Sequence, residues 1–153
     1  PDIYRLEAHG WFSSQSGPVR PAALEGRSKV ELYDVVGEVA QSQYHFLWPN
    51  LTININPGFP NLSVDVWIPD GPNATKGFSE QYFGPGVSEE FAQSLTAFNR
   101  QVAEEDDRLT DSVQRGLLGG LPDRGRFLTS SEHLVVHFQK MIARAISGES
   151  PLR

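Results

Sequence analysis

Two hydrophobic periods divide the chain. As far as Phe83 the apolar residues tend to recur at every second position, and from Val87 onward they recur every three or four. From Ile3 to Phe12, Tyr4, Leu6 and Ala8 alternate with Arg5, Glu7 and His9, the signature of a half-buried strand. The stretch Ser13 to Ser28 (SSQSGPVRPAALEGRS) is rich in Ser, Pro and Gly and shows no period, so it reads as a long connection. Lys29 to Gln43 suits either period and stays unassigned. Four clear strands follow: Tyr44 to Trp48, Leu51 to Asn56, Leu62 to Ile68, and Thr75 to Phe83. Pro49-Asn50, Pro57-Gly58, Pro60-Asn61 and Pro69-Asp70-Gly71-Pro72 separate them with turn chemistry, and short strands joined by tight turns pair antiparallel. Leu51, Ile53 and Ile55 share a side, as do Leu62, Val64, Val66 and Ile68, which predicts a sheet with one apolar face.

After Gly84-Pro85-Gly86 the period changes. Phe91, Leu95, Phe98, Val102, Leu109, Val113 and Leu117 lay one stripe along a helix between Val87 and Leu118. Ser88 is placed to cap it, and Glu89-Glu90 complement its positive end. A second helix is predicted to open at Thr129, with Glu132 at capping-box spacing and Leu134, Phe138, Met141, Ile142 and Ala145 as its stripe. Strands first and helices after give an α+β domain, an antiparallel sheet packed against a long helix with a second C-terminal helix. One domain is expected over residues 1–153. An apolar cavity between sheet and helix is where a small ligand would go, with Ile53, Ile55, Val64 and Val66 as its expected lining.

One position of the long helix breaks the pattern. The stripe calls for an apolar residue at 106, and the chain has Asp106, within the run Glu104-Glu105-Asp106-Asp107. At about 100° per residue, Asp106 lies roughly 35° from the stripe's mean direction, while Glu104 and Asp107 point away. A carboxylate aimed at a core costs several kcal/mol unless it is paired, hydrogen-bonded or metal-bound. Asp106 is therefore expected to have a partner: backbone amides, an Arg such as Arg108, Arg124 or Arg126, or a metal.

Composition narrows the chemistry. There are no cysteines, so thiol catalysis, disulfides and iron-sulfur ligation within this chain are excluded. A formal net charge of -6 argues against nucleic acid or an anionic membrane as the main partner. No run of 18 apolar residues and no signal-peptide pattern occurs, so the expected location is cytoplasmic. His133 and His137 stand four apart on one helix face, but Leu134, Val135 and Val136 lie between them and no carboxylate is placed as a third ligand. His9 and His45 read as ordinary strand histidines. No Gly-x-Ser-x-Gly elbow or phosphate loop occurs.

Several segments together carry a family pattern: Phe46-Leu47-Trp48-Pro49-Asn50-Leu51, the strand Leu62 to Pro69, Glu105-Asp106-x-x-Leu109-x-x-x-Val113-Gln114-Arg115-Gly116-Leu117, and Glu132-x-x-x-x-His137-Phe138. In order and spacing they resemble the catalytic domain of Rieske-type aromatic-ring-hydroxylating oxygenase alpha subunits, in particular the branch with choline and carnitine monooxygenase-like and phenylpropionate dioxygenase-like members. The resemblance runs from Tyr4 to about Ile146.

That resemblance implies a helix-grip, START-like fold and a non-haem Fe(II) held by two histidines and one carboxylate. The carboxylate falls on Asp106, eight residues before the Gln of Val-Gln-Arg-Gly. It also implies a small organic substrate, a Rieske domain, an NAD(P)H-dependent reductase and a homo-oligomer, often a trimer. The family's Asn-x-x-His-x-x-x-x-His motif is missing here, and none of His9, His45, His133 or His137 matches it. The chain begins with Pro and enters almost at once into a strand. The expectation is thus the C-terminal part of an oxygenase catalytic domain, incomplete for catalysis alone and binding Fe(II) weakly or not at all. The rival expectation is a START-like module that binds an apolar small molecule without redox chemistry.

Overall fold

The computed structural model describes residues 4–19, 33–120, 125–128 and 130–150. Six strands form one sheet in the order of the chain, β1 (Arg5–His9), β2 (Phe12–Pro18), β3 (Gln41–Leu47), β4 (Leu51–Ile55), β5 (Asn61–Pro69) and β6 (Thr75–Phe83), each antiparallel to the next. Two helices follow, α1 (Glu89–Leu118) and α2 (His133–Ile146). The α+β architecture and the strands of the central sheet stand as the hydrophobic periods predict.

Two local readings are corrected, and part of the unassigned stretch is described. The stretch from Ser13, expected to be a connection, begins as β2, which pairs with β1 from His9↔Phe12 to Arg5↔Ser16 and with β3 from Phe12↔Leu47 to Pro18↔Gln41. Its sequence FSSQSGP has no apolar alternation because backbone ladders on both sides, rather than side-chain burial, hold it in place. Residues 33–40 form neither helix nor regular strand, although Val39 and Gly58 exchange two 2.9 Å backbone hydrogen bonds. The second helix opens at His133 rather than Thr129, which lies outside the described residues, and the Glu132 carboxylate accepts a hydrogen bond from the Leu128 amide instead.

The first turn of α1 follows the sequence closely. Ser88 Oγ accepts the Phe91 amide at 3.2 Å, satisfying a donor that the helix itself cannot. Phe91 and Leu95 then bury against Tyr33, with Val35, Phe83, Val87 and Phe98 packed around them. The rings meet edge-on or tilted, Tyr33 to Phe91 at 5.7 Å, Tyr33 to Phe98 at 5.3 Å and Phe59 to Phe91 at 5.1 Å. Two glycines permit this approach: a Cβ on Gly37 would overlap the Gly58 carbonyl, and Gly58 itself has φ +115°, which L side chains rarely adopt.

Register decides which side of the sheet the helices cover. Tyr44↔Asn54, Asn54↔Ser63 and Ser63↔Gln81 form one row across β3 to β6, and Phe46↔Thr52, Thr52↔Asp65 and Asp65↔Ser79 form the next row on the same face. Thr96 of α1 bonds Gln81 at 2.9 Å, and Phe138 of α2 meets Phe46 at 5.1 Å and Trp48 at 6.0 Å. Both helices therefore lie on the face that carries Phe46, Thr52, Asn54, Ser63 and Asp65. The aliphatic residues Leu51, Ile53, Ile55, Leu62, Val64, Val66 and Ile68 belong to the opposite face.

Candidate functional site

The long helix is tied to the sheet at two separated points. Thr96 bonds Gln81 on β6, and Gln114 Nε2 reaches Asn73 Oδ1 in the β5–β6 turn at 3.4 Å. Eighteen helical residues span about 27 Å, and the eight residues from Gln81 back to Asn73 span about 26 Å of strand. The match lays α1 alongside β6, antiparallel to it. Among the described residues the stripe is buried at the N-terminal end, where Leu95 is 1% exposed; further along it Leu109 is 65% and Val113 62% exposed. Past the packed core the stripe runs along a stretch of α1 whose apolar side chains are exposed among the described residues.

Asp106 lies on that open part. It is exposed, its backbone carbonyl accepts from Thr110 Oγ1 at 3.0 Å, and no side-chain partner binds its carboxylate among the described residues. The expectation of an Asp106 pressed into a packed core is corrected: the stripe bears it toward the sheet side, but the residue is exposed and nothing described packs against its carboxylate. Arg108, one of its expected partners, instead pairs with Glu104 at 3.9 Å and donates to the Glu104 carbonyl. Arg124 lies outside the described residues. Glu105 accepts from Gln101, and Glu104 and Asp107 face solvent.

Among the described residues no group of three or more His, Asp or Glu side chains is arranged to hold a metal ion. His133 is exposed on α2, while His137 is half-buried with its Nε2 enclosed and unpartnered. His9 stacks on Phe12 at 4.4 Å on the face away from the helices, the face that also carries His45. The four histidines thus do not converge on Asp106, and the residues described here do not fit a complete iron centre.

Ile53, Ile55, Val64 and Val66 come together as the periodicity predicts, with Ile53 opposite Val64 and Leu51 opposite Val66. All four are half-buried, and they lie on the face turned away from α1 and α2.

The middle of the helix-facing side is polar instead. Asp65 Oδ2 accepts from Asn54 Nδ2 at 2.6 Å, Thr52 Oγ1 at 3.1 Å and Ser63 Oγ at 3.4 Å, and Asn54 Nδ2 also reaches Ser63 Oγ at 3.3 Å. Aromatic residues stand on the same face: Tyr44 opposite Asn54, Phe46 opposite Thr52, and Trp67 two residues beyond Asp65. Between β5, β6 and α1 a crevice lined by Ser63, Gln81, Phe83, Leu95 and Asn99 is too narrow to admit water. Sequence reasoning passed over the polar cluster because Thr52 and Asn54 read as the solvated side of an alternating strand. The available signal was Asp65, a charge in the middle of the run LSVDVWI.

Two phenols are perturbed. Burial, with a smaller contribution from Tyr44, holds the Tyr33 phenol well above its ordinary value, and a 2.5 Å hydrogen bond to Glu80 raises that of Tyr82 on the outer face.

Comparison with known proteins adds three findings. The model of the family described as "Ring hydroxylating alpha subunit (catalytic domain)" matches residues 5–148. The chloroplastic choline monooxygenase of Arabidopsis thaliana is 33% identical over 107 residues, covering 67% of this chain and 24% of that protein. The crystal structure of the quaternary ammonium Rieske monooxygenase CntA superposes with a TM-score of 0.66 at 19% identity, covering 94% of this chain and 38% of that one. The chain spans about a quarter of the length of the plant relative.

Proposed function

Since the chain belongs to the ring-hydroxylating alpha subunit family and matches its catalytic domain over residues 5–148, we propose that it serves as the C-terminal catalytic-domain portion of a Rieske non-haem iron oxygenase. In the intact enzyme the reaction is hydroxylation of a small organic substrate by O2, with electrons from an NAD(P)H-dependent reductase arriving through a Rieske domain. The two relatives, a choline monooxygenase and a quaternary ammonium monooxygenase, make methylated ammonium compounds the first substrates to test.

The observation that carries this reading is the placement of Asp106 on the stripe of α1 that borders the cleft, exposed and free of any described side-chain partner. A carboxylate left open at the edge of a substrate cleft suits a single ligand position of a centre whose other ligands come from outside the described residues. Iron held there with ligands from outside the described residues would supply activation of O2. The chain's own contribution is the cleft: α1 on one side, α2 with Phe138 on the other, and the polar and aromatic floor of β3 to β5 between them.

The reading is tested by expressing the protein together with the family's two-histidine motif and Rieske domain, supplying a reductase, and following O2 uptake against product. Hydroxylated product formed in proportion to NAD(P)H oxidation supports it. Saturable substrate binding with no O2 consumption under the same conditions favours a binding module instead.

A further inference from the structure

β6 is the last strand of an open sheet, and among the described residues its outer edge has no partner strand. An antiparallel ladder alternates between residue pairs that exchange backbone hydrogen bonds and pairs that do not. On the β5–β6 ladder the Asp70 amide donates to the Ala74 carbonyl at 2.8 Å, while the Trp67 amide turns to the other side and donates to Asn50 at 3.0 Å. The phase follows: Lys76, Phe78, Glu80 and Tyr82 bond β5, and Thr75, Gly77, Ser79 and Gln81 turn their N–H and C=O groups outward. No described group receives those outward groups, and residues 75–80 are all exposed. α1 stands over the crevice between β5 and β6 and reaches β6 through the Gln81 side chain, so it does not close the edge. A free edge nine residues long is a template for another strand.

The sequence of the strand specifies the occupant. Lys76-Gly77-Phe78-Ser79-Glu80 is self-complementary when a second copy runs antiparallel to it about Phe78. Lys76 then stands opposite Glu80, Phe78 opposite Phe78, Gly77 opposite Ser79 and Thr75 opposite Gln81. The ladder phase agrees with this register. Thr75, Gly77, Ser79 and Gln81, whose backbone groups turn outward, meet one another and can exchange hydrogen bonds, whereas Phe78 and the two charged residues fall at non-hydrogen-bonded pairs, where side chains lie closest. Moving the dyad to Ser79 sets Phe78 against Glu80, and moving it to Glu80 opposes two carboxylates. Phe78 is 58% exposed and ends the outer-face row Leu47, Leu51, Val66, Phe78, which a second copy continues across the dyad. Within one copy Lys76 pairs with Asp70 at 2.9 Å and Glu80 accepts from Tyr82, both at the surface, where such contacts contribute little.

We propose that β6 is a self-association edge: two copies of the chain pair β6 against β6 about Phe78 and join their six-stranded sheets into one. Backbone hydrogen bonds supply the attachment, and the Lys76–Glu80 and Phe78–Phe78 pairs fix its register. The inference does not depend on the oxygenase reading.

Sedimentation equilibrium of the 153-residue chain provides the test. A dimer that dissociates on dilution is expected, since one strand pair is a small interface beside the roughly 800 Å² per partner of a standard one. K76E and E80K each set like charges opposite one another at both symmetry-related pairs, and each is expected to weaken self-association roughly tenfold. An equimolar mixture of the two variants restores opposite charges at every pair and is expected to form a mixed dimer of about wild-type affinity. The chain has no cysteine, so F78C introduces a single thiol that meets its own counterpart at the dyad and cross-links two copies on oxidation. Y82C, on the same face but away from the dyad, is the control and is expected to cross-link far more slowly. Thermal melting of each variant distinguishes loss of the edge from loss of the fold. A wild-type chain that is monomeric at every concentration, a mixture that associates no more tightly than either variant alone, or F78C cross-linking no faster than Y82C overturns the proposal.

Discussion

Gln81 on β6 accepts a 2.9 Å hydrogen bond from Thr96 on α1, and this single contact identifies the face of the sheet on which the long helix lies. Gln81 pairs across the ladder with Ser63, and Ser63 with Asn54, so the helix covers a polar row rather than the aliphatic one. The consequence reaches the whole of the proposed cleft. Its floor can hold charge and donate hydrogen bonds, while the aliphatic residues contribute to the opposite surface.

The stripe on α1 should divide energetically at Phe98. Leu95 is 1% exposed and touches the only buried aromatic cluster among the described residues, so Leu95→Ala is expected to destabilise the protein by about 2 to 5 kcal/mol. Leu109 belongs to the same sequence pattern but is exposed, and Leu109→Ala is expected to shift stability by less than about 0.5 kcal/mol. Urea midpoints of the two variants check this. Equal losses would mean that the C-terminal part of the stripe is covered.

Gly58 holds the turn before β5 against α1. Its φ of +115° is unfavourable for any side chain, and an added Cβ would come within 2.9 Å of both the Asp34 carbonyl oxygen and Phe91 Cε2. Gly58→Ala is accordingly expected to cost more than about 1 kcal/mol. Gly71, whose φ of +89° opens onto empty space, should show only the backbone part of that cost when changed to Ala. The difference between the two denaturation curves measures the combined Asp34 and Phe91 contacts.

How much of this was legible in the sequence depends on which force fixes each feature. The helix α1, its Ser88 cap and the strands β4 to β6 follow from side-chain period and local hydrogen bonding, both written in adjacent residues. β2 was not legible, because FSSQSGP is held by ladders to β1 and β3 that no local period reveals. The cleft was misread for a subtler reason. Alternation correctly grouped Ile53, Ile55, Val64 and Val66, but a period of two does not say which face a distant helix will cover. Assigning the helices to the aliphatic side assumed that apolar area alone decides packing. Here Phe91, Leu95 and Phe98 find their apolar partners in Tyr33 and Phe59 instead, residues of irregular segments outside the strands. For Asp106 the angular position was readable and the burial was not, since burial depends on what lies opposite.

Tyr33 makes stability depend on alkaline pH. Its phenol is neutral in the folded core, and burial raises its pKa above the ordinary value near 10. The folded state therefore holds this proton more tightly than the unfolded chain. The contribution is fully present below about pH 10 and is lost progressively as pH rises above it, because only the unfolded chain then ionises. Tyr33→Phe keeps the ring contacts with Phe91 and Phe98 and removes the titrating group. Melting temperatures measured between pH 8 and pH 11 should fall more steeply above about pH 10 for wild type than for the variant. Parallel curves would remove Tyr33 as the cause.

The last prediction concerns Asp106 and iron. A 2-His-1-carboxylate centre draws its affinity from three protein ligands held together. Among the described residues no such group is assembled, and Asp106 stands exposed on α1 without a histidine brought beside it. One solvated carboxylate offers Fe(II) little more than water does, so elemental analysis of the purified 153-residue chain is expected to find iron far below one equivalent after dialysis. Where the protein also carries the family's two-histidine motif, iron should approach one equivalent, and Asp106→Ala should remove most of it while leaving the fold intact, because the side chain makes no described contact that the fold requires. Asp107→Ala serves as the matched control: it removes a neighbouring carboxylate directed away from the stripe, so iron content should stay unchanged. Tight stoichiometric Fe(II) in the 153-residue chain, or equal iron loss in the two variants, would falsify the assignment of Asp106 as the carboxylate ligand supplied by this helix.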